Sequence, residues 1–93
     1  MKIDNANFDL LAEPPVPAWV VRVTVRGEGF VKRAIPVAAR VGPLAVEGLV
    51  CDPDEAGFTG YLRGEPPEGA HLYVGFLEGE LPDTGIEYHR PSV

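Results

Sequence analysis

Apolar and polar residues alternate along most of this chain with a period of two. In residues 18–26, Trp19, Val21, Val23 and Val25 fall on one side and Val20, Arg22, Thr24 and Arg26 on the other. That is the pattern of a half-buried strand. Gly27-Glu28-Gly29 then interrupts it. In residues 35–41, Ile35, Val37, Ala39 and Val41 alternate with Pro36, Ala38 and Arg40. Proline has no N–H to give to a ladder, so this second strand is an edge, or Pro36 sits at its start or in a bulge. Gly42-Pro43 turns the chain into a third run, 44–51, which ends at a loop over 52–57. Further runs cover 58–63, 71–77 and 85–89, separated by the Gly- and Pro-bearing stretches 64–69 and 78–83. No long stretch keeps a 3.6-residue period free of Gly and Pro. Residues 8–13 are either a short helical turn or a first strand, and Pro14-Pro15-Val16-Pro17 is a stiff, polyproline-like connection.

Regularly spaced short strands predict an all-β chain, an immunoglobulin-like antiparallel β-sandwich of about six to seven strands. The whole chain, 93 residues, makes a single domain. Residues 1–17 form an N-terminal strand or turn with a Pro-rich lead-in, and 18–90 the sandwich. Eleven Gly and ten Pro fit this picture as punctuation between strands, since they follow no G-X-Y period.

Charge and cysteine content then narrow the function classes. Eight basic against fourteen acidic residues leave a net charge of −6, a poor basis for nucleic-acid binding, which needs clustered cations. Cys51 is the only cysteine, so neither an internal disulfide nor a thiolate zinc site is available. One cysteine in a small chain favours a reducing compartment. The first nine residues carry no apolar signal core, and no apolar run approaches a membrane span. The expectation is a cytoplasmic protein, or one module of a longer chain. Six Arg against two Lys, with no Gln, is the usage of a GC-rich genome or of a thermophile.

The stretch Val23-Thr-Val-Arg-Gly-Glu-Gly-Phe30, a strand followed by Gly-x-Gly-Phe, resembles the opening of the IPT/TIG domain, an early-set immunoglobulin-like fold. Pro36-Val-Ala-Ala-Arg-Val-Gly42 is similar to that family's strand running into a glycine turn. Pro66-Pro-Glu-Gly69 before Leu72-Tyr73-Val74 resembles its late proline-glycine turn, and Ile86-Glu-Tyr88 its closing strand. The similarity covers roughly residues 18–90, while the Pro-rich lead-in and Leu81-Pro82-Asp83 depart from the pattern. It implies a binding or spacer module without catalytic residues, and DNA contact only within larger transcription factors, which the acidic charge disfavours here.

Candidate chemistry is sparse. Pairing the run 58–63 with the run 71–77 as a hairpin, apolar to apolar, places Tyr61, Arg63, His71 and Tyr73 on one face. Such a face is either an ordinary solvent face or a recognition surface, because Tyr and Arg supply large contacts at low entropic cost. Trp19 heads an inward row and is expected to anchor the core. Asp52, Asp54 and Glu55 suggest a calcium loop, but Ala56 and Arg63 occupy the positions where an EF-hand needs ligands. Gly27-x-Gly29 lacks the third glycine of a dinucleotide fingerprint. Pro14-x-x-Pro17 fits a polyproline ligand only formally. Ser92 is the only serine and lies in the tail; Cys51 with His71 or His89 is a nucleophile pair on paper, but Cys51 ends an apolar run and reads better as a small buried hydrophobe. No cofactor or metal site is indicated.

The resulting expectation is a non-enzymatic interaction or spacer module that meets a protein partner or a second copy of itself. Self-association has a route through unprotected sheet edges or an apolar patch of Val20, Ala38 and Leu49. Two other classes compete. One is a small β-barrel-like ligand-binding protein with a mouth lined by Trp19, Tyr61 and Tyr73. The other is a cysteine-dependent enzyme. No nucleic-acid or membrane partner is expected.

Overall fold

The alternation in residues 21–25 becomes burial: Val21, Val23 and Val25 are fully inaccessible, while Arg22 and Arg26 are exposed. In the computed structural model, which describes residues 2–13, 15–30, 36–53, 56–77 and 79–91, these valines lie on the inner face of one of two sheets. The strands are β1 (Lys2–Leu10), β2 (Val21–Glu28), β3 (Val37–Val41), β4 (Leu44–Ala45), β5 (Glu47–Cys51), β6 (Gly57–Leu62), β7 (His71–Phe76) and β8 (Asp83–Glu87). They form two four-stranded antiparallel sheets, β1-β2-β6-β5 and β4-β3-β7-β8. This is the strand order of an immunoglobulin-like sandwich, ABED facing CFG, with the short β4 added beside β3.

The core is the sequence's period-two pattern seen from both sides. Val21, Val23, Val25, Phe58 and Leu62 come from one sheet; Val37, Ala39, Val41, Leu72 and Val74 come from the other. Phe30, which follows β2, and Tyr88, which follows β8, fill it. Among the described residues no helix is long and apolar enough to cross a membrane.

Several expectations are corrected. Among the described residues the strands number eight, the two-residue β4 among them, against an expected six to seven. Of the two alternatives for the N-terminal segment the strand is the one found: β1 runs over Lys2–Leu10 and pairs with β2, with an irregularity between Ile3 and Asn5. A turn through residues 15–18 joins them: the Trp19 N–H donates to the Val16 carbonyl at 2.9 Å and the Leu11 N–H to the Val20 carbonyl at 3.0 Å. Pro14 lies outside the described residues. β2 runs through Gly27, which lies buried opposite Ile3, and a methyl at this position would fall on the Lys2 carbonyl. Gly29, at φ 77°, follows the end of the strand. Pro36 directly precedes β3, an interior strand, and Ile35 lies outside the described residues. The run 44–51 splits at Val46: the two residues before it pair with β3, and those after it pair with β6.

The largest correction concerns β6 and β7. They form no hairpin; each belongs to a different sheet. Phe58 and Leu62 share one core with Leu72 and Val74 but come from the facing sheet and not from a neighbouring strand. Two ladders that do not close are also not a barrel.

Candidate interaction site

Splitting β6 from β7 splits the predicted quartet. Tyr61 alternates with buried Gly60 and Leu62 and so faces outward from one sheet, with Arg63 just past the end of its strand. His71 and Tyr73 face outward from the other sheet, on the far side of the molecule. Each half gathers neighbours that periodicity does not reveal.

On the β1-β2-β6-β5 face, register sets Asp9, Arg22, Tyr61 and Glu47 in one row across four strands. Trp19 lies over this row. Its ring is stacked on Tyr61 with centroids 4.5 Å apart and planes within 3°. The indole Nε1–H donates to Glu47 Oε1 at 3.4 Å, and Arg63 Nε donates to Glu47 Oε2 at 2.6 Å. Trp19 is therefore not a core anchor. It precedes the first ladder residue, Val21, so the strand's alternation does not bind it. Gly48 makes the arrangement possible. It sits at φ 59° in the bulge between the Glu47 and Val50 pairs, and a Cβ there would come within 2.6 Å of the indole. The Arg63 hydrogen bond holds the Glu47 carboxyl below its usual range, and Glu47 in turn raises Arg63. Arg22 reaches Asp9 at 3.3 Å along the same row.

On the opposite face Arg40 lies 3.7 Å from the Tyr73 ring centroid while donating to the Gly42 carbonyl at 2.8 Å. His71 Nδ1 is 2.7 Å from Asp83 Oδ2. This contact raises His71 above its ordinary value, first through the hydrogen bond and then through the carboxylate charge. Asp83 is lowered, first by the Gly85 N–H at 2.8 Å and then by His71. The raised histidine contributes stability below its unfolded value of 6.5, lost as pH rises through its folded value. The lowered aspartate contributes stability above 3.8, lost as pH falls through its folded value. The pair is thus most effective between those limits. A histidine ring titrated by NMR should show a His71 midpoint above 6.5 that falls back towards it in Asp83→Asn; an unmoved midpoint refutes the pairing.

Across the whole chain, no family model, no curated protein and no solved structure matches.

Other sequence candidates disperse. Cys51 is half-buried, and its Sγ–H points at the Phe30 carbonyl, 3.7 Å away. Burial, then Asp52, raises its pKa, the opposite of what a nucleophile needs. The histidines lie elsewhere, His71 on Asp83 and His89 on Glu68 at 2.6 Å. Asp52 pairs with Arg26 at 2.5 Å, whereas Asp54 and Glu55 lie outside the described residues. Among the described residues no group of three His, Cys, Asp or Glu is placed to hold a metal. The apolar patch does not form as expected: Val20 and Leu49 pack half-buried on the core, and Ala38 is half-buried beside Gly75. Among the described residues the large apolar side chains that are exposed are instead Val16, Val50 and Leu77. An open cleft of about 420 Å³ lies between the N-terminal part of β1 and the β7–β8 turn, lined by Ile3, Val74, Phe76, Glu80, Pro82 and Asp83 among others. None of Trp19, Tyr61 and Tyr73 lines it.

Proposed function

We propose that this sandwich is a non-enzymatic interaction module that binds a protein partner through the outer face of its β1-β2-β6-β5 sheet. The observation that carries this reading is the Trp19–Tyr61 stack, braced by Glu47 and flanked by Arg63. Two large rings and a guanidinium are pinned before any partner arrives, so little rotamer entropy remains to be lost on contact. Trp, Tyr and Arg are also the residues that most often dominate binding energy. The IPT/TIG resemblance points the same way, since it implies a binding or spacer module. The burial and raised pKa of Cys51 favour a structural role for its thiol over a catalytic one. A lone, unpaired cysteine suits the cytoplasm.

The test is selection of protein fragments displayed from the source genome, followed by affinity measurements on variants. Trp19→Ala or Tyr61→Ala should weaken the selected interactions roughly tenfold or more, as hot-spot truncation does. Tyr73→Ala, on the opposite face, should leave them unchanged. Partners that bind Trp19→Ala and Tyr61→Ala as tightly as the parent protein overturn the reading.

A further inference from the structure

A sandwich of two open sheets has four edges, here β1, β5, β4 and β8. Three of them are blunted in the ways that prevent strand addition. β4 is two residues long. β5 is bulged at Gly48. β8 is irregular between its pairings at Asp83 and Glu87, with Gly85 at φ 77° and Pro82 just before it. The fourth edge is different. The irregularity of β1 lies at its start, between Ile3 and Asn5, and from Asn5 to Leu10 it pairs residue for residue with β2. That segment holds no Pro, Lys or Arg. Among the described residues, no strand lies beyond it.

The direction of its backbone groups follows from one bond. The Leu11 N–H donates to the Val20 carbonyl, and an antiparallel ladder alternates bonded and non-bonded pairs. Asp9, Asn7 and Asn5 therefore bond to β2, while the N–H and C=O groups of Ala6, Phe8 and Leu10 point to the open side.

We propose that a second copy of this chain pairs with that edge, β1 against β1 in antiparallel, across a two-fold axis at Phe8. In this register Phe8 meets Phe8 and Ala6 meets Leu10 in both directions. Every outward backbone group from Ala6 to Leu10 then finds a partner, with about six interchain hydrogen bonds, two per pair. The half-buried row Ala6, Phe8 and Leu10 covers its own copy, small against large at its ends. On the outer face each Asn7 amide meets an Asp9 carboxylate, so no like charges oppose. A two-fold at Asp9 would set carboxylate against carboxylate, and one at Asn7 would leave Leu10 opposite the irregular start of the strand. The product is a single eight-stranded sheet shared by two copies, an isologous contact of the commonest oligomeric symmetry. The contact uses the β1 edge, with Asp9 at the far end of the row from Glu47, whereas the Trp19–Tyr61 stack lies over β6 and β5, so each proposal has its own test.

Sedimentation equilibrium over a wide concentration series tests it, with variants at the exposed Asn7. A reversible dimer is expected. Asn7→Asp, which sets two carboxylate pairs across the axis, should weaken it several-fold to roughly tenfold, whereas Asn7→Lys should tighten it. In a Cys51→Ala background, a mixture of Asn7→Cys and Asp9→Cys proteins should form the interchain disulfide faster than either alone. A monomer at every concentration, or a dimer indifferent to both Asn7 substitutions, overturns the proposal. Self-crosslinking of Asn7→Cys without the mixed product overturns the Phe8 register. Binding of extended segments from other proteins, without self-association, overturns the choice of partner. Tyr73→Ala, on the other sheet, serves as the control and should leave the dimer constant unchanged.

Discussion

Phe58→Ala should lower the stability of the fold by about 3–5 kcal/mol, the usual cost of emptying a large buried aromatic site. Phe58 is fully inaccessible on an interior strand, between Val25 of β2 and Cys51 of β5, and its ring meets Phe30 edge-on at 5.5 Å. Phe30 comes from the connection after β2, so removal of the Phe58 ring also loosens the seat of that connection. Domains of this size shift by about 4–8 °C in melting temperature per kcal/mol. Differential scanning calorimetry should therefore show a drop of roughly 12–40 °C, with partial unfolding at ambient temperature if the parent protein is only marginally stable. Thr59→Ala is the matched control. Its side chain faces outward one residue away, half-buried, and such a change is expected to cost no more than about 0.5 kcal/mol. A loss below about 1 kcal/mol for Phe58→Ala would show that the two sheets do not meet at this residue.

The inward positions of the core are legible because burial acts on one face at a time. Val21, Val23, Val25, Phe58, Leu62, Leu72 and Val74 all sit where alternation places them. What alternation cannot show is which apolar face meets which. Two strands with inward apolar rows satisfy the same pattern whether they lie side by side in one sheet or face to face across the core. That degeneracy is why Tyr61 and Arg63 look, from sequence, like neighbours of His71 and Tyr73. It is also why Arg40, the actual neighbour of Tyr73, and Trp19, the actual neighbour of Tyr61, stay hidden.

β1 is only half legible, for a different reason. Lys2-Ile-Asp-Asn-Ala-Asn-Phe-Asp-Leu10 mixes two Asn and two Asp, poor strand formers, with an extra residue near Ile3 that breaks the period. Its strand conformation depends on the ladder with β2 and on Phe8 and Leu10 packing at the core's rim, which are tertiary gains. One signal at the aromatic face was readable: Gly48 lies in the middle of an otherwise strand-like run, and an isolated glycine there marks a bulge or a close approach. Both turn out to be true at that position, since the backbone is left-handed and the indole of Trp19 occupies the space a side chain would take.

Tyr88 carries the second large effect, and it joins packing to titration. It lies just past β8, yet it is 1% exposed and the largest of the fully buried side chains. Its ring meets Phe8 of β1 edge-on at 5.1 Å, so it closes the seam where the outer strands of the two sheets approach. The backbone is pinned as well: its N–H donates to the Ala70 carbonyl at 2.7 Å, and its carbonyl accepts from the Gly69 N–H at 2.8 Å. Tyr88→Ala should therefore cost about 3–5 kcal/mol, measured by chemical denaturation. Tyr88→Phe keeps the ring and removes only the hydroxyl, which donates to Glu65 Oε1 at 3.1 Å, and should cost about 1–2 kcal/mol. Burial of the phenol, and then its bond to the Glu65 carboxylate, push its pKa up to about 12 from an ordinary 10. A raised phenol favours the protonated form in the folded state. Its contribution is whole below pH 10 and is lost as pH rises towards 12, because the unfolded chain releases that proton first. Absorbance titration of the phenolates should show a step near 12 that Tyr88→Phe lacks, and the variant's stability should fall less steeply than the parent's above pH 10. If native phenolate formation were already complete by about pH 11, the hydroxyl would have to be solvated, and the seam between β1 and the β8 end of the molecule would be open to water.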